Sequence, residues 1–271
     1  MGYEVVSETP ISEALATAWG TPNVVERDCR ILRPASGHPT YVRFIAAAPT
    51  PGYAALKTYG WNAAELHVRD VVTLAASLQQ SPYRILGGPR DLMNNGAVIA
   101  LQVQGPGEEV FYLTQISGEQ MQASYGKANC DVDRLFIAVL GAEDFPATLE
   151  FYRPLCKGVN KPRKFAIRVL SAAHGLDPMT TRYDIAGAVL EQRYRIEIDG
   201  YPESASARVV AKGELPPGLA MLSIEVGSLD SIPFELTSSQ VPASEAYSGG
   251  RIAILKGPSG EWLELVETDS H

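Results

Sequence analysis

A repeated nine-residue pattern is the sequence feature that most constrains how this chain can fold. Segment 105–113 (GPGEEVFYL) aligns with 257–265 (GPSGEWLEL) without a gap, 152 positions further along the chain. In both copies a Gly-Pro turn leads into a run rich in branched and aromatic residues, which is typical of a turn that precedes a strand. A second match pairs 64–70 (AELHVRD) with 222–228 (LSIEVGS), and each is predicted as a strand that runs into a helix. The chain is therefore predicted to consist of repeated units.

The predicted elements recur in one order, a strand, a helix and then three strands. A helix is predicted over 10–19, followed by strands over 27–32 and 40–46. The next unit has a strand at 61–69, a helix at 71–79 and strands at 83–86, 97–103 and 110–116. In the second half we predict a helix over 145–156 and strands over 134–140, 165–170, 194–199, 219–226, 251–256 and 262–266. Four βαβββ units account for the length of 271 residues.

Composition sets the domain organisation. With 45% hydrophobic and 20% charged residues the chain is typical of globular proteins, and its length suits two domains. Segment 118–130 is rich in Gly, Ser, Gln and Asn without helical or strand periodicity, so it is predicted to be a linker. The expected domains are 1–117 and 131–271, with a short helical insertion around 174–192 in the second.

Charge and cysteine content exclude several classes of partner. The chain has 23 Lys and Arg against 31 Asp and Glu, a net charge of −8, which does not suit nucleic-acid binding. The apolar run 71–78 is too short to span a bilayer, so no membrane partner is expected. Three cysteines without C-x-x-C spacing indicate reduced thiols and neither a disulfide framework nor a zinc ribbon. We expect a cytoplasmic protein whose partner is a small molecule.

The sequence resembles the vicinal oxygen chelate superfamily, which includes glyoxalase I, bleomycin-resistance proteins, extradiol dioxygenases and methylmalonyl-CoA epimerase. The resemblance rests on GPSGEWLELVE at 257–267, on the strand leading to Asp144, and on Phe151-Tyr152 in the following helix. It covers nearly the whole chain and implies an α+β fold. In that fold four βαβββ modules form two tandem glyoxalase-like domains with cupped mixed β-sheets.

The resemblance also implies where metal ligands, usually His and Glu, would lie on the first and last strands of each module. In the second half, Glu197 and Glu264 match last-strand positions, whereas Arg134 and a position near Met221 stand where His is usual. The corresponding positions of the first half are near Met1 and at Arg43, Ala63 and Tyr112. A guanidinium repels a cation and alanine has no donor atom, so we expect no metal cofactor. If a divalent metal is bound, Glu264 and Glu197 are its expected ligands.

Without a metal, the same positions suit proton transfer. A carboxylate in a partly apolar cup has its pKa raised by desolvation and can act as a general acid or base. We therefore take Glu264, Glu197 and Arg134 as candidate catalytic residues, with Arg134 stabilising an enolate or anchoring a substrate carboxylate. A structural Glu–Arg pair without a catalytic role is the alternative interpretation.

A further set of side chains is predicted to contact the substrate. His67 shares a strand face with Glu65 and Ala63, and Trp262 shares one with Glu264, because alternate residues of a strand point the same way. Ordinary core packing is the alternative for each member. The candidate substrate-binding residues are Trp262, Met221, Glu225, His174, His67, Tyr112 and Arg43.

Two functions of different class follow. The first is a lyase or isomerase that moves a proton next to a carbonyl on a small, largely apolar substrate, either aliphatic or aromatic. The second is a non-catalytic protein that sequesters such a compound, as bleomycin-resistance proteins do. The retained glutamates favour the enzyme, the missing histidines favour the binder, and a ring-cleaving dioxygenase ranks last because it needs a His pair. Tandem fusion supplies both halves of a cup in one chain, so either a monomer or a homodimer is expected.

Overall fold

The computed structural model describes residues 2–191, 193–243, 247 and 249–268. Met1, Gln192 and His271 lie outside the described residues. The helices are α1 Glu13–Trp19, α2 Val71–Leu78, α3 Glu119–Tyr125, α4 Phe145–Tyr152 and α5 Arg168–Ala173. The strands are β1 Tyr3–Glu8, β2 Cys29–Pro34, β3 Val42–Ile45, β4 Gly60–Val68, β5 Arg84–Asp91, β6 Val98–Gln104, β7 Val110–Ile116, β8 Val132–Ala142, β9 Gly158–Val159, β10 Arg163–Phe165, β11 Tyr183–Val189, β12 Arg195–Gly200, β13 Met221–Val226, β14 Ser238–Val241, β15 Gly250–Lys256 and β16 Trp262–Glu267. The predicted α+β class is confirmed, and among the described residues no helix is long and apolar enough to cross a membrane.

A nine-stranded central sheet joins the two halves of the chain. Its order is β10-β11-β12-β8-β4-β7-β6-β5, with β9 paired to β11. At its centre β4 and β8 run antiparallel, and each has a parallel neighbour from its own half, β7 beside β4 and β12 beside β8. The second and third modules therefore share one sheet. This differs from the expectation that the two modules of each half would close on each other, and the boundary at 118–130 stays a prediction.

The first and last modules pack against each other. Strands β1, β2 and β3 form one sheet, and β13, β16, β15 and β14 form another. Their shared core contains residues from both ends of the chain, among them Ile11, Trp19, Ile31, Tyr247 and Ile252. Both ends of the chain thus contribute to one apolar cluster.

Two of the predicted helices begin at an aspartate that directly follows a strand. Asp70 caps α2 by accepting from the backbone N–H groups of Val72 and Thr73, each at 3.0 Å, and Asp144 caps α4 through Ala147 at 2.9 Å. Such caps satisfy N–H groups that the first helical turn leaves without partners.

The last module lacks this helix. Ser228 caps only a 3₁₀ turn, Leu229–Ser231. Pro233 follows at once, and it disfavours helical geometry at Ile232. The module therefore keeps the position of the helix but only one turn of it.

Four predictions are corrected. Residues 183–189 form strand β11, so the expected helical insertion around 174–192 is wrong. The helix in this region is α5, Arg168–Ala173. It begins inside segment 165–170, which is predicted to be a strand, and extends three residues beyond it. The run Ala186-Gly187-Ala188 has no strand preference of its own, but both alanines are buried in a core with α4, and tertiary packing decides its conformation. The expected linker 118–130 contains α3, and the first module has no strand between 46 and 59.

The two copies of the repeated turn have the same structure. The N–H of Gly105 donates to the carbonyl of Glu109 at 2.8 Å, and that of Gly257 donates to Glu261 at 2.9 Å. In each copy the glutamate side chain folds back over the turn and accepts a backbone N–H at 2.9 Å. A Cβ on either glycine would overlap that carboxylate. The sequence match therefore reflects a repeated structural unit.

Replacing Gly257 with alanine should destabilise the protein. The added Cβ would displace the Glu261 carboxylate, which also accepts a hydrogen bond from buried Tyr152 at 3.0 Å. We expect Gly257→Ala to lower the free energy of unfolding by about 1–3 kcal/mol in urea titrations. Gly227→Ala is the control because a Cβ there meets open space. Equal stabilities of the two variants would contradict this interpretation of the turn.

Candidate functional site

The inner face of the central sheet, which is the face turned away from α2 and α4, carries three carboxyl groups. Glu65 lies on β4, and Glu197 and Asp199 lie two residues apart on β12, so they point to the same face. Tyr112 on β7 pairs in register with Glu65. The strands thus bring three acids and a phenol from both halves of the chain to one surface.

The environment of these acids is largely apolar. The core on this face includes Ala63, Phe136 and Val139 from the sheet and Val169 and Leu170 from α5, which packs over it. A low-dielectric surrounding penalises ionised carboxylates unless donors compensate them. The inner face is therefore a place where the protonation states of acids are strongly perturbed.

Burial and mutual repulsion raise the pKa values of the three acids. Burial raises the pKa of Glu65, and the charge of Glu197 adds to this, while the hydrogen bond from Thr114 opposes it. Burial also raises the pKa of Glu197. The pKa of Asp199 lies well above its ordinary value because of burial and then the charges of Glu197 and Glu65. The three groups consequently retain protons into the neutral range.

Asp199 is the most deeply placed of the three. It is 1% exposed, and within the described part of the chain its Oδ1 atom is buried without a hydrogen-bond partner. An unsatisfied buried polar atom costs free energy, roughly 1–3 kcal/mol. Stability alone does not explain such an atom, and functional sites are where proteins tolerate it.

Glu264 lies elsewhere, between the first and last modules. Its side chain is fully buried, and Oε1 accepts from Nε1 of Trp19 at 2.6 Å and from the hydroxyl of Tyr247 at 2.7 Å. Oε2 accepts from Ser223 and lies 3.5 Å from Nη2 of Arg43. Both oxygens are thus occupied by donors of the protein itself.

Arg43 is held by this cluster. Burial lowers the pKa of its guanidinium, but the charge of Glu264 and the hydroxyl of Tyr247 outweigh that effect and raise it. The guanidinium also lies over the Trp19 ring, 5.0 Å from its centroid. These contacts indicate a structural ion pair that ties the two ends of the chain together.

The structure does not bring Glu264, Glu197 and Arg134 together as one catalytic set. Glu264 contacts residues of the outer modules, Glu197 belongs to the inner face, and Arg134 donates to the carbonyl of Tyr125 at 3.1 Å and lies over the Tyr194 ring at 4.9 Å. The reason is the pairing of modules across the chain, which separates the last strands β12 and β16 into different sheets.

The predicted histidines make contacts within the protein. His67 stacks on Phe136 with ring centroids 3.7 Å apart, and its Nε2 lies 3.0 Å from the Tyr125 carbonyl. Burial lowers the pKa of His67 to about 4, so the ring is neutral at neutral pH. Nδ1 of His174 lies 2.8 Å from Oγ of Ser204, and its Nε2 lies 2.9 Å from the Leu56 carbonyl, which joins two loops.

The other candidate substrate-binding residues are divided between the two regions. Tyr112 lies on the inner face, and burial and then the nearby carboxylates raise its pKa well above the ordinary value. Met221 and Trp262 are register partners on β13 and β16, and strand alternation places Trp262 on the face of Glu264. Glu225 is exposed.

Two functional candidates were missed in the sequence. The sequence pattern places Glu65 on the face of His67 without indicating a role for it, and it does not single out Asp199. The available signal was the alternation Glu197-Ile198-Asp199 beside Glu65, acids on one face of predicted strands. The three acids come together because only β8 separates β4 from β12 in the sheet. The sequence of either strand alone does not show this arrangement.

The donor set does not fit the His and Glu metal site that the family resemblance implies. Among the described residues, no group of three or more His, Cys, Asp or Glu side chains is arranged to hold a metal ion. Glu264 is surrounded by donors, and His67 is engaged with Tyr125.

Comparison with solved structures shows the fold. Glyoxalase I from Zea mays matches with a TM-score of 0.60 at 16% identity, covering 98% of this chain and 84% of that one. A putative dioxygenase from Bacillus subtilis subsp. subtilis matches with a TM-score of 0.54 at 10% identity, covering 98% and 77%. No protein-family model and no curated protein sequence matches the chain. At these identities the likeness establishes architecture alone.

Replacing Glu264 with glutamine should affect stability first. The variant leaves the largely buried Arg43 without its counter-charge, and breaking a buried pair from one side costs about 3–5 kcal/mol. We expect Glu264→Gln to show a loss of this order in urea unfolding. Glu235→Gln, at an exposed position, should change stability by less than about 0.5 kcal/mol. A stable Glu264→Gln would show that the cluster is not structural.

Proposed function

We propose that this chain, which has the vicinal oxygen chelate fold, is a glyoxalase-like lyase or isomerase that moves a proton next to a carbonyl. The substrate is a small, largely apolar organic molecule bound at the inner face. The observation that carries the proposal is the set of three acids on the inner face, Glu65, Glu197 and Asp199, whose pKa values are raised by desolvation, with Oδ1 of Asp199 unpartnered among the described residues.

The geometry supports a division of roles. Glu65 and Glu197 are half-buried and so can reach a ligand, whereas Asp199 is fully buried. One reachable carboxylate takes the proton from the carbon next to the carbonyl. The other, still protonated, donates to the carbonyl oxygen as the enolate forms. Asp199 is a positioning residue whose proximity raises the pKa of its neighbours and keeps one proton in the set.

Completing the reaction requires no further reactant. In an isomerase the conjugate acid returns the proton to the other face or to the neighbouring carbon, and in a lyase a leaving group departs from the enolate. Tyr112 remains protonated and is a second donor beside Glu65. The apolar cover of Phe136 and Leu170 excludes water, which strengthens each of these interactions.

A binding protein without catalysis is the second candidate. The aromatic and aliphatic lining of the inner face favours it, since apolar ligands are held by such surfaces. A binder needs no titratable acids in contact with the ligand, so the two candidates differ in what replacing Glu197 does.

Hydrogen–deuterium exchange distinguishes them. In D₂O, NMR would follow loss of the C–H signal next to the carbonyl in a panel of small alkyl and aryl ketones and 2-oxo acids. For a compound that exchanges with the wild-type protein, Glu197→Gln should slow exchange by about 100-fold or more. Glu4→Gln, exposed on β1, is the matched control and should leave the rate unchanged. Ligand binding without exchange would favour the sequestration alternative.

Asp199 gives a prediction for stability against pH. Its folded pKa is raised above the ordinary 3.8, so the wild-type protein loses stability as the pH rises from that value through the raised pKa. Asp199→Asn removes this loss and should be more stable than wild type by roughly 1–3 kcal/mol near pH 8, with the difference shrinking toward pH 4. Urea unfolding across this range measures it. Asp28→Asn, at an exposed site, should show no such trend, and a flat difference for Asp199→Asn would contradict the assignment.

A further inference from the structure

A cavity is present whose lining includes none of the three acids of the inner face. It has a volume of about 410 Å³ and lies where the β2–β3 turn, the segment between α3 and β8, and the β11–β12 turn meet. Its lining comprises His38, Gly126, Lys127, Asn129, Arg134 and Arg193. The described lining thus contains three cationic side chains and no carboxylate, in a chain whose net charge is −8.

Two guanidinium groups converge on Gly126. A Cβ built on this glycine would lie 2.7 Å from Nη2 of Arg134 and 3.8 Å from Nη1 of Arg193. Gly126 has φ of 90°, a conformation that favours glycine, so the backbone leaves this space open. Because residue 126 has no side chain, the guanidinium groups of Arg134 and Arg193 both border the same space.

Arg134 is a fixed part of this cavity. It is only 6% exposed, donates to the Tyr125 carbonyl at 3.1 Å and lies over the Tyr194 ring. Lys127 and Arg193 are exposed and come from two other segments. One buried and two exposed cations therefore surround the opening.

Asp133, beside the lining, is an ionised carboxylate because its pKa is lowered, and it offsets one of the three positive charges of Lys127, Arg134 and Arg193. Asp133 directs Oδ1 to the Ser36 hydroxyl and Oδ2 to the N–H of Asn129, each at 2.6 Å, and is itself fully buried. His38 has its pKa lowered by burial and by Arg134, so it is neutral at neutral pH and can still donate a hydrogen bond. The charge of the exposed Glu225 contributes to raising the pKa of Tyr194, at the edge of this region.

We propose that this cavity binds an oxyanion of the phosphate class, either inorganic phosphate or the phosphate group of an ester. Cations on three separate segments suit a tetrahedral dianion, which presents oxygens in several directions. A planar carboxylate is satisfied by one guanidinium fork. The site is independent of the proposed reaction, because it uses none of Glu65, Glu197 or Asp199.

Binding of inorganic phosphate to the full chain tests the proposal. Isothermal titration calorimetry should show one saturable site on the wild-type protein, with affinity that falls as salt concentration rises. Arg193→Gln and Lys127→Gln replace exposed side chains, and each should weaken binding about tenfold or more. Lys161→Gln is the matched control, an exposed lysine in the basic stretch at 157–164, and should bind like wild type.

Two further ligands complete the experiment. If phenyl phosphate binds more tightly than inorganic phosphate, the ligand is a phosphate ester. If inorganic phosphate binds more tightly, the ligand is the free anion. Either order supports an oxyanion site in this cavity. Acetate should bind at least about tenfold more weakly than phosphate. Absence of saturable phosphate binding, equal affinity for acetate, or unchanged affinity in both Arg193→Gln and Lys127→Gln would overturn the proposal. Circular dichroism establishes that the variants remain folded.

Discussion

The antiparallel contact between β4 and β8 is the interaction on which the rest of the structure depends. It joins the second and third modules, and it places β7 and β12 on its two sides in equivalent positions. Because β8 alone separates β4 from β12, the backbones of Glu65 and Glu197 lie on the order of 10 Å apart, within reach of two long side chains. A different pairing of the modules would leave each of these acids beside other neighbours.

The two buried carboxylate sites solve the same electrostatic problem in opposite ways. Glu264 is compensated by an indole, two hydroxyls and a guanidinium, and the result is a strong connection with little chemical reactivity. The inner-face acids are compensated mainly by holding protons, since Thr114 is a donor to Glu65 and Oδ1 of Asp199 has no partner among the described residues. Protonated acids in an apolar surface lower the free energy of unfolding, and their perturbed pKa values suit them to proton transfer.

Local signals made much of the fold predictable. The helices predicted to begin at 71 and 145 do begin there, and the Gly-Pro turns at 105 and 257 have the same structure. The family resemblance, carried by the second of these turns, agreed with the observed fold. Failures arose where tertiary context decides. Ala186 and Ala188 form a strand because α4 packs on them. The last module differs for a local reason, since Pro233 follows a 3₁₀ turn, Leu229–Ser231, and disfavours its continuation as a helix. The grouping of site residues was not predictable because module pairing is a long-range property that leaves each strand's own pattern unchanged.

The order of modules along the chain has a consequence for how the molecule assembles. The two modules of the central sheet are consecutive in sequence, and β4 pairs with β8 across separations from 64 positions (Val68 with Val132) to 81 positions (Gly60 with Gly141). The hydrogen bond between Trp19 and Glu264, by contrast, spans 245 positions. Loop-closure entropy and the dependence of folding rate on contact separation both favour forming the near pair first. The first and last modules then pack against each other after the central sheet has brought both ends of the chain close together. The contact with the longest sequence separation therefore forms last, on an interior that is already folded.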